Sequence, residues 1–339
     1  MINPINPINP IKVLCYKDRI ESAIEGIFPK PITLGLDISN FCNDDCEWCL
    51  YRKYKKEHNV NMPIELIKKA IVEAKELGIL GICFSGGGEP LMNEYFSSAI
   101  MICKKNKIAA SLNTNGDKLN EISDEIISYL TYIRISLDAG SYSTHLRLHH
   151  PSGINFKQRL QIIEKICKKK LTIIGIGFLV HPLNYKEIYK IAKILDSMNC
   201  SYLQIRPLKN IILSKDEKNK VFTLLEKTKK LKMPVYESFS KMDNTIQNKR
   251  SFEKCYMRYL VPNIGPDGYV YSCCELRGFE PIGNIRDHHL KDIWGSTKHK
   301  IILKYLDRYP NSCPACKYAA GNEIIEKFFI NNLAHKEFL

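Results

Sequence analysis

The sequence contains no long uninterrupted apolar segment in its 339 residues. The longest such stretch, near Leu171–Val180, has about half the length that a helix needs to cross a bilayer, which excludes a transmembrane helix. An export signal is also missing, because Met1 is followed by three Ile-Asn-Pro triplets and not by a basic start with an apolar run. We therefore expect a cytoplasmic protein with no membrane partner.

Acidic residues are scarce relative to basic ones. Asp and Glu total 36 against 50 Lys and Arg, which gives a net charge of +14. This balance favours a partner that is anionic in some part. The basic excess lacks interleaved aromatic residues, and no nucleic-acid motif accompanies it, so nucleic acid is not favoured as that partner.

Cysteine is the residue type that is unusually abundant, with 13 in the chain. Because the count is odd and no export signal is visible, metal ligation in a reducing cytosol is favoured over disulfides. Five of these cysteines lie on predicted strands, helices or the leader, and we expect them to pack as small apolar residues. They are Cys15, Cys83, Cys103, Cys167 and Cys200.

Short β-rich apolar segments alternate with helical patterns from Thr33 onward. The predicted strands are Thr33–Ile38, Ile79–Phe84, Ile108–Leu112, Tyr132–Leu137, Thr172–Val180 and Tyr202–Ile205. The predicted helices are Ile64–Leu77, Glu94–Lys105, Glu121–Leu130, Phe156–Lys169, Tyr185–Met198 and Lys215–Lys232. Six strand–helix units predict an α/β protein with a parallel sheet, long enough for a partial (β/α)6 TIM-like barrel. In such a barrel the chemistry collects at the carboxyl ends of the strands.

The strand–helix alternation stops after about residue 232. The turn-rich segment Gly265–Gly268 then predicts a β-hairpin that opens a small second domain. We expect a partly disordered leader over residues 1–30, the barrel over 31–235, a linker over 236–254, a cysteine-rich domain over 255–325 and a tail over 326–339.

Three cysteines follow the first predicted strand at spacings of four and three residues. Cys42, Cys46 and Cys49 can converge on one inorganic cluster, and a cube of four irons would then keep one iron without a protein ligand. The same spacing also allows a tetrahedral zinc site with a distant fourth ligand.

This spacing, with the aromatic Trp48 before Cys49, resembles the signature of the radical S-adenosylmethionine (radical SAM) superfamily. The resemblance implies that Cys42, Cys46 and Cys49 hold a 4Fe–4S cluster whose open iron chelates the amino and carboxylate groups of SAM. One electron from the cluster would split SAM into methionine and a 5′-deoxyadenosyl radical, with Trp48 packed near the adenine.

The ends of the next strands carry short motifs that also resemble those of superfamily members. Gly87-Gly88-Glu89-Pro90 matches the motif that contacts the SAM amino group, although it can also form a plain tight turn. Asn115, Ser136 and Asp138 match polar residues that meet the ribose or the methionine part, or else they cap the next element. Arg147, in the loop that follows, matches an arginine that pairs with the SAM carboxylate, with a surface arginine as the alternative. The shared placement at successive strand ends favours the cluster over zinc.

A second set of cysteines lies in the turn-rich region. Cys255, Cys273, Cys313 and Cys316 supply four ligands, enough for a closed cluster or a structural zinc. The region resembles the twitch and SPASM domains of radical SAM enzymes, and its arrangement is similar to that of 2-deoxy-scyllo-inosamine dehydrogenase. Because no cysteine occurs in the 23 residues after Cys316, we expect one auxiliary 4Fe–4S cluster. Cys274 adjoins Cys273 and could replace it as a ligand.

Two histidine pairs and one arginine have roles that the sequence does not define. The pairs His149-His150 and His288-His289 lack ligand spacing, and we expect surface polar positions for them. Arg206 ends the sixth strand, where it either contacts an anionic substrate or packs at the barrel rim.

The resemblance implies abstraction of a hydrogen atom from a substrate carbon. With an auxiliary cluster as electron acceptor, we expect dehydrogenation of a small polar substrate such as a sugar or cyclitol, and a reductant such as flavodoxin or ferredoxin. Modification of a ribosomal peptide by thioether formation, carbon–carbon bond formation or epimerisation is the alternative. A non-catalytic zinc protein that binds nucleic acid is a remote third interpretation.

Overall fold

A ten-stranded sheet forms the centre of the computed structural model, which describes residues 9–52, 59–208, 211, 213–238, 252–277, 279–309, 313, 316 and 318–331. Seven parallel strands of these residues pair in sequence order. They are β1 (Thr33–Leu36), β2 (Gly81–Phe84), β3 (Ala109–Thr114), β4 (Leu130–Ser136), β5 (Ile173–Val180), β6 (Tyr202–Pro207) and β7 (Val235–Glu237). The first six confirm the partial (β/α)6 barrel, and β7 adds a parallel strand where the sequence pattern predicts an end to the repeat.

Helices cover the outer face of this sheet and the C-terminal region. Their bounds are α1 (Lys17–Ile24), α2 (Ile64–Glu76), α3 (Phe96–Lys105), α4 (Asp124–Tyr129), α5 (Tyr142–His149), α6 (Phe156–Lys169), α7 (Ile188–Ser197), α8 (Lys215–Thr228), α9 (Leu290–Ile293), α10 (Thr297–Arg308) and α11 (Ala319–Ile325). α6 illustrates why they form. Asn155 and Gln158 make a capping box at its start, and Ile162, Ile163 and Ile166 form a buried stripe against the sheet. None of the described helices is both long and apolar enough to span a membrane.

Residues alternate along each strand between the helix-covered face and the inside of the barrel. On β4, Ile133 and Ile135 are fully buried, whereas Arg134 and Ser136 are half-buried. The register continues this division, since Ser136 pairs with Gly177 of β5. The barrel interior therefore receives polar side chains, while the apolar core lies between sheet and helices.

The cysteine-rich region continues the barrel's sheet. β8 (Asn263–Ile264) and β9 (Tyr269–Tyr271) form the predicted hairpin around Gly265–Gly268, and β10 (Gly283–Asn284) pairs with β9. Gly268 has φ +88°, a conformation that glycine adopts without strain. β8 pairs in parallel with β1, the strand that leads into the first cysteine loop. This pairing brings the two cysteine sets to one side of the molecule.

The N-terminal segment packs against the C-terminal region. Residues Pro10–Tyr16 form 3-10 turns that lead into α1, and their Val13 and Ile20 share an apolar cluster with Tyr256 and Leu260. This described part of the expected leader is thus helical and anchored. Residues 1–8, most of the expected linker (239–251) and the end of the expected tail (332–339) lie outside the described residues.

Candidate active site

The loop after β1 presents three half-exposed thiols, those of Cys42, Cys46 and Cys49. A turn brings the last two close, because the Cys49 amide donates to the Cys46 carbonyl over 3.1 Å. Asp45, by hydrogen bonding and charge, raises the pKa of Arg52, and the thiols of Cys49 and Cys46 act in the same direction. Cys42 lines an open cavity of about 290 Å³ together with Asp45 and Arg52. Cys42 therefore borders this accessible space directly, and Cys46 and Cys49 lie close enough to act on Arg52, which also lines it.

The predicted Gly87–Pro90 motif packs directly beneath this loop. A Cβ atom at Gly88 would lie 2.3 Å from the Phe41 carbonyl oxygen, so only glycine permits this approach. The Gly88 amide donates to the Ser39 carbonyl over 3.1 Å, and the Glu89 amide donates to the Phe41 carbonyl over 2.7 Å. The motif thus holds the backbone that enters the cysteine loop.

Glu89 joins the ends of β2 and β3. Its side chain is 3% exposed and accepts hydrogen bonds from the Thr114 hydroxyl (2.6 Å), the Asn115 amide (2.7 Å) and the Leu91 amide (3.1 Å). Burial raises the pKa of Glu89 to about 7, although these hydrogen bonds oppose the shift. The carboxylate therefore fixes the rim from which the neighbouring polar groups project.

A fully buried arginine neutralises two carboxylates next to the cysteines. Arg159 of α6 donates to Asp117 from Nε (2.7 Å) and to Asp44 from Nη1 (3.2 Å) and Nη2 (3.1 Å). Asp44 lies between Cys42 and Cys46 in sequence, so this ion cluster anchors the cysteine loop to the barrel. Burial opposes ionisation of Asp44, but hydrogen bonds and charge from His149 and Arg159 lower its pKa to about 2.

His149 connects this ion cluster to a cysteine. Its Nδ1 lies 3.1 Å from Asp44 Oδ2 and 3.4 Å from Cys46 Sγ, while Nε2 lies 3.2 Å from Asp138 Oδ2. Burial opposes protonation of the imidazole, but the charge of Cys46 and hydrogen bonds to Asp138 and Asp44 raise its pKa well above the usual value. The expected surface position of His149 is therefore wrong, because α5 turns this side chain inward.

Helix α5 also determines which of its other residues are buried and which are exposed. The sequence predicts a loop here, but Ser141 caps the helix by accepting from the Thr144 amide over 3.3 Å. His145 and His149 are one turn apart and stack with ring centroids 4.8 Å apart, whereas Arg147 is exposed on the other side. The structure thus brings His149, and not Arg147, next to the cysteine loop.

The other predicted SAM contacts lie around the same rim. Trp48 is half-buried between His149 and His181, with ring centroids 5.7 Å and 5.8 Å away. Asn115 donates to Asn43 Oδ1 over 2.7 Å, and so binds the third strand end to the cysteine loop. Asp138, with φ +50°, accepts from the Leu179 amide over 2.6 Å. Ser136 is half-buried and faces the barrel interior.

A contact between Tyr51 and Arg277 joins the two cysteine regions. The Arg277 guanidinium lies 4.8 Å from the centroid of the Tyr51 ring, and the Tyr51 hydroxyl donates to the Cys274 carbonyl over 3.5 Å. Arg277 also forms an ion pair with Asp37, the residue that follows β1. The first loop and the Cys273-Cys274 turn are therefore packed against each other.

The second cysteine set surrounds a buried arginine. Arg258 is 2% exposed, and the charge of Cys255, followed by those of Asp307 and Cys313, raises its pKa against the effect of burial. Burial, reinforced by Cys255 and Cys313, raises the pKa of the Cys316 thiol to about 12. These three cysteines therefore lie near one another.

The Cys273-Cys274 turn lies close to this group. The two buried thiols share a hydrogen bond, which is the largest contribution to the raised pKa of Cys273. Glu275 acts electrostatically on both Cys273 and Cys316, which places the turn beside the tight pair.

Both cysteine sets fit iron–sulfur clusters by their donor chemistry. In the first, three half-exposed thiols lie in one loop, with Cys42 at the cavity, and they would leave one iron of a 4Fe–4S cluster open to a small molecule. In the second, Nε and Nη1 of buried Arg258 have no hydrogen-bond partner among the described residues. Buried N–H groups of this kind require an acceptor, which the nearby Cys255 sulfur and the sulfurs of a cluster would supply.

Two protein-family models match the regions that contain the two cysteine sets. The model of the radical SAM superfamily matches residues 36–195, and the model of the SPASM iron–sulfur cluster-binding domain matches residues 255–317.

The chain contains a radical SAM domain followed by a SPASM domain. Its radical SAM domain contains the loop of Cys42, Cys46 and Cys49, and its SPASM domain extends from Cys255 to just past Cys316. Domains of these families bind SAM, a 4Fe–4S cluster and auxiliary iron–sulfur clusters, as the resemblance predicted.

Similar proteins differ in what they modify. The chain is 24% identical over 318 residues to the tungsten-containing aldehyde ferredoxin oxidoreductase cofactor-modifying protein of Pyrococcus furiosus, covering 84% of this chain and 86% of that one. It is 22% identical over 316 residues to a cysteine-type anaerobic sulfatase-maturating enzyme of Clostridium perfringens, covering 83% and 84%. The structure of Streptococcus suis SuiB bound to precursor peptide SuiA aligns with a TM-score of 0.66 and 16% identity, covering 89% of this chain and 74% of that one.

Sequence reasoning missed the residues that hold the cysteine loop of this radical SAM enzyme. Arg159 was detectable, because it interrupts the apolar stripe of α6 at a position where a charge must find a buried partner. Asp44 was detectable by its place between two cysteines. His149 gave no signal, since its partners are far away in the chain.

Proposed function

We propose that this radical SAM enzyme modifies a peptide or protein substrate at a carbon, in a net oxidation in which the SPASM cluster accepts an electron. The similarity to the sulfatase-maturating enzyme carries the proposal, because it covers 83% of this chain and therefore includes residues of both domains. The name of that relative describes maturation of a protein, and the similarly folded SuiB binds a precursor peptide.

The residues at the strand ends have assigned roles in this proposal. Cys42, Cys46 and Cys49 would hold the first cluster, and SAM would be bordered by the predicted residues Trp48, Gly87–Pro90, Asn115, Ser136 and Asp138. The exposed Arg147 has no role in this proposal. When bound, the cluster and SAM supply one-electron cleavage of SAM and removal of a hydrogen atom from a substrate carbon. His149 and Arg159 keep the cysteine loop in position by neutralising Asp44.

The interior of the barrel supports binding of a polar side chain. On the inward face of β5, Gly177 contributes no side chain to the lumen, whereas the space over Gly175 is filled by the Tyr202 ring. Neighbouring strands supply half-buried polar groups at the same level, among them Arg134 and Ser136. A substrate residue inserted there would lie beneath the cysteine loop and meet hydrogen-bonding partners.

A small polyhydroxylated substrate is the second candidate, because the same polar lining suits hydroxyl groups. Asn113 on β3 and Gln204 on β6 are amides that can donate to and accept from a hydroxyl. Dehydrogenation of a sugar or cyclitol would use the same clusters and the same hydrogen abstraction. A flavodoxin or ferredoxin is the expected reductant for either substrate.

Substrate-dependent formation of 5′-deoxyadenosine separates the two candidates. The anaerobically reconstituted enzyme is incubated with SAM, a reductant and either a peptide library or a panel of sugars and cyclitols. We expect 5′-deoxyadenosine to rise only with peptides, accompanied by a peptide product that has lost hydrogen. A response only to sugars or cyclitols would refute the peptide proposal.

The role of the SPASM cluster is tested with cysteine variants. Cys255→Ala should retain slow cleavage of SAM but lose the oxidised product, because the substrate radical then lacks its electron acceptor. Cys42→Ala should lose both, and Cys15→Ala, at an exposed position, serves as the matched control. Full product formation by Cys255→Ala would contradict an electron-accepting role.

A further inference from the structure

Two arginines from different strands meet inside the barrel. Arg134 lies on β4 and Arg206 on β6, and the register places both on the inward face. Between them, β5 carries Gly177. A Cβ atom there would lie 3.8 Å from Arg206 Nη2 and 3.9 Å from Arg134 Cδ, so the two side chains extend over the space that this glycine leaves open.

The pairing of these arginines by the protein is incomplete. Arg134 Nη1 donates to Gln204 Oε1 over 3.1 Å, a neutral acceptor. Arg206 Nε is buried and has no hydrogen-bond partner among the described residues. Burial and the charge of Arg134 lower the pKa of Arg206 to about 9, against opposing effects of Asp138, Tyr202 and Glu275. Because a guanidinium remains protonated in proteins, this shift indicates that the charge of the half-buried Arg206 is not fully compensated.

The two carboxylates that act on Arg206 also act on other groups. Asp138 accepts from the Leu179 amide through Oδ1 and lies 3.2 Å from His149 through Oδ2. Glu275 belongs to the Cys273-Cys274 turn and also acts on Cys316 and Arg277. The carboxylates near Arg206 therefore offset its charge only in part, and its buried Nε is left for a further acceptor.

We propose that Arg134 and Arg206 form a carboxylate-binding subsite for the substrate inside the barrel. Two arginine side chains beside an open glycine offer several N–H donors, and a carboxylate can accept from several donors at once. That this carboxylate belongs to a peptide, as an acidic side chain or a C-terminus, rests on the proposed function. The anion site itself stands on the arrangement of the arginines.

Binding of matched peptide probes tests this subsite. The reconstituted enzyme, saturated with SAM and without reductant, is titrated by calorimetry with acetyl-Ala-Asp-Ala-amide, acetyl-Ala-Asn-Ala-amide and acetyl-Ala-Ala-Ala with a free carboxylate. We expect one or both carboxylate probes to bind and the asparagine probe to bind at least tenfold more weakly, which also identifies the source of the carboxylate. Equal binding of all three probes, or displacement of SAM by the carboxylate probes, would overturn the proposal.

Arginine variants locate the binding. Arg206→Gln and Arg134→Gln should each weaken the carboxylate probe about 10- to 100-fold, the range for a lost hydrogen bond to a charged group. Arg206→Lys should recover part of the affinity, and Arg308→Gln, at an exposed position of α10, should change nothing. Unchanged affinity in Arg206→Gln would exclude the subsite.

Thermal unfolding separates ligand binding from a structural role. If Arg206 is an uncompensated cation, Arg206→Gln should unfold at the same or a higher temperature than the unchanged enzyme. A lower unfolding temperature would assign the arginine to structural pairing and refute the proposal. The proposed function can fail independently of the anion site. Arginine-dependent binding without turnover of any peptide would support the anion site and refute the proposed function. Equal turnover of acidic and neutral peptides would support the proposed function and refute the anion site.

Discussion

Replacing Arg159 by methionine should destabilise the enzyme more than any surface charge substitution. The guanidinium is 0% exposed and contacts Asp44, Asp117 and His145 within 3.2 Å. Methionine fills similar space but leaves two buried carboxylates without their cation. Removing one partner of a buried ion pair costs about 3–5 kcal/mol, a large part of the typical 5–15 kcal/mol that stabilises a folded domain.

The same substitution should reduce the iron content. Asp44 is the residue between Cys42 and Cys46 that the ion cluster anchors, so its release loosens the loop that presents the thiols. We expect Arg159→Met to unfold at lower denaturant concentration under anaerobic conditions and to retain less iron after reconstitution. Both losses follow from one cause and should appear together.

Lys168→Met is the matched control for this prediction. Lys168 pairs with Glu164 over 2.7 Å on the exposed side of the same helix, and such a pair contributes about 0.5 kcal/mol or less. Adding Asp44→Asn and Asp117→Asn to Arg159→Met should recover part of the stability, because the carboxylates are then neutral. If Arg159→Met and Lys168→Met unfold at the same denaturant concentration, the buried ion cluster does not stabilise the fold.

Three further predictions concern the rim of the barrel. Gly88→Ala should prevent assembly of the first cluster, because its Cβ would overlap the backbone before the first cysteine. The control Gly81→Ala meets only a 3.6 Å contact and should assemble the cluster normally. Equal iron content in the two variants would contradict this prediction. The pKa of Glu89 is raised from its usual value to about 7, so this side chain binds more protons in the folded state than in the unfolded state. The free energy of unfolding should therefore fall by about 3 kcal/mol as the pH rises from 4.5 to 7. Denaturant titrations of Glu89→Gln should lack this pH dependence. His149→Gln should make the reduction potential of the first cluster more negative by on the order of 60 mV, because the cationic donor near Cys46 is lost. An unchanged potential in an EPR-monitored redox titration would show that His149 does not tune the cluster.

Much of the fold was predictable because its signals are local. Each of the first six strands is a short apolar segment followed by a turn and an amphipathic helix, and their order alone implies a parallel sheet. The Gly87–Pro90 motif was recognisable because a strand end with consecutive glycines permits a close backbone approach. The helix α5 was missed, since two of its three buried residues are histidines and only Leu148 is of the apolar type that marks a buried face.

The burial and the partners of individual charged residues were not predictable from such local signals. Cys46 and His149 are separated by 103 positions, and Asp44 and Arg159 by 115, yet each pair is in hydrogen-bond contact. Whether a histidine or arginine is a solvated surface residue depends on which partner the fold delivers to it. Sequence spacing contains no information about such distances unless the partners share an element.

The sequence by itself determined that the cysteines include one group before residue 50 and another after residue 254, and it predicts that each group binds a cluster, because thiol spacing within a loop limits what the loop can bind. Only the tertiary structure decided how these sets relate to each other and to the barrel interior. The pairing of β8 with β1 brings Tyr51 against Arg277, and the register of β4, β5 and β6 brings Arg134 and Arg206 over Gly177. These contacts join residues from distant strands, and electrostatic and hydrogen-bond energies depend on the distances that the folded sheet sets.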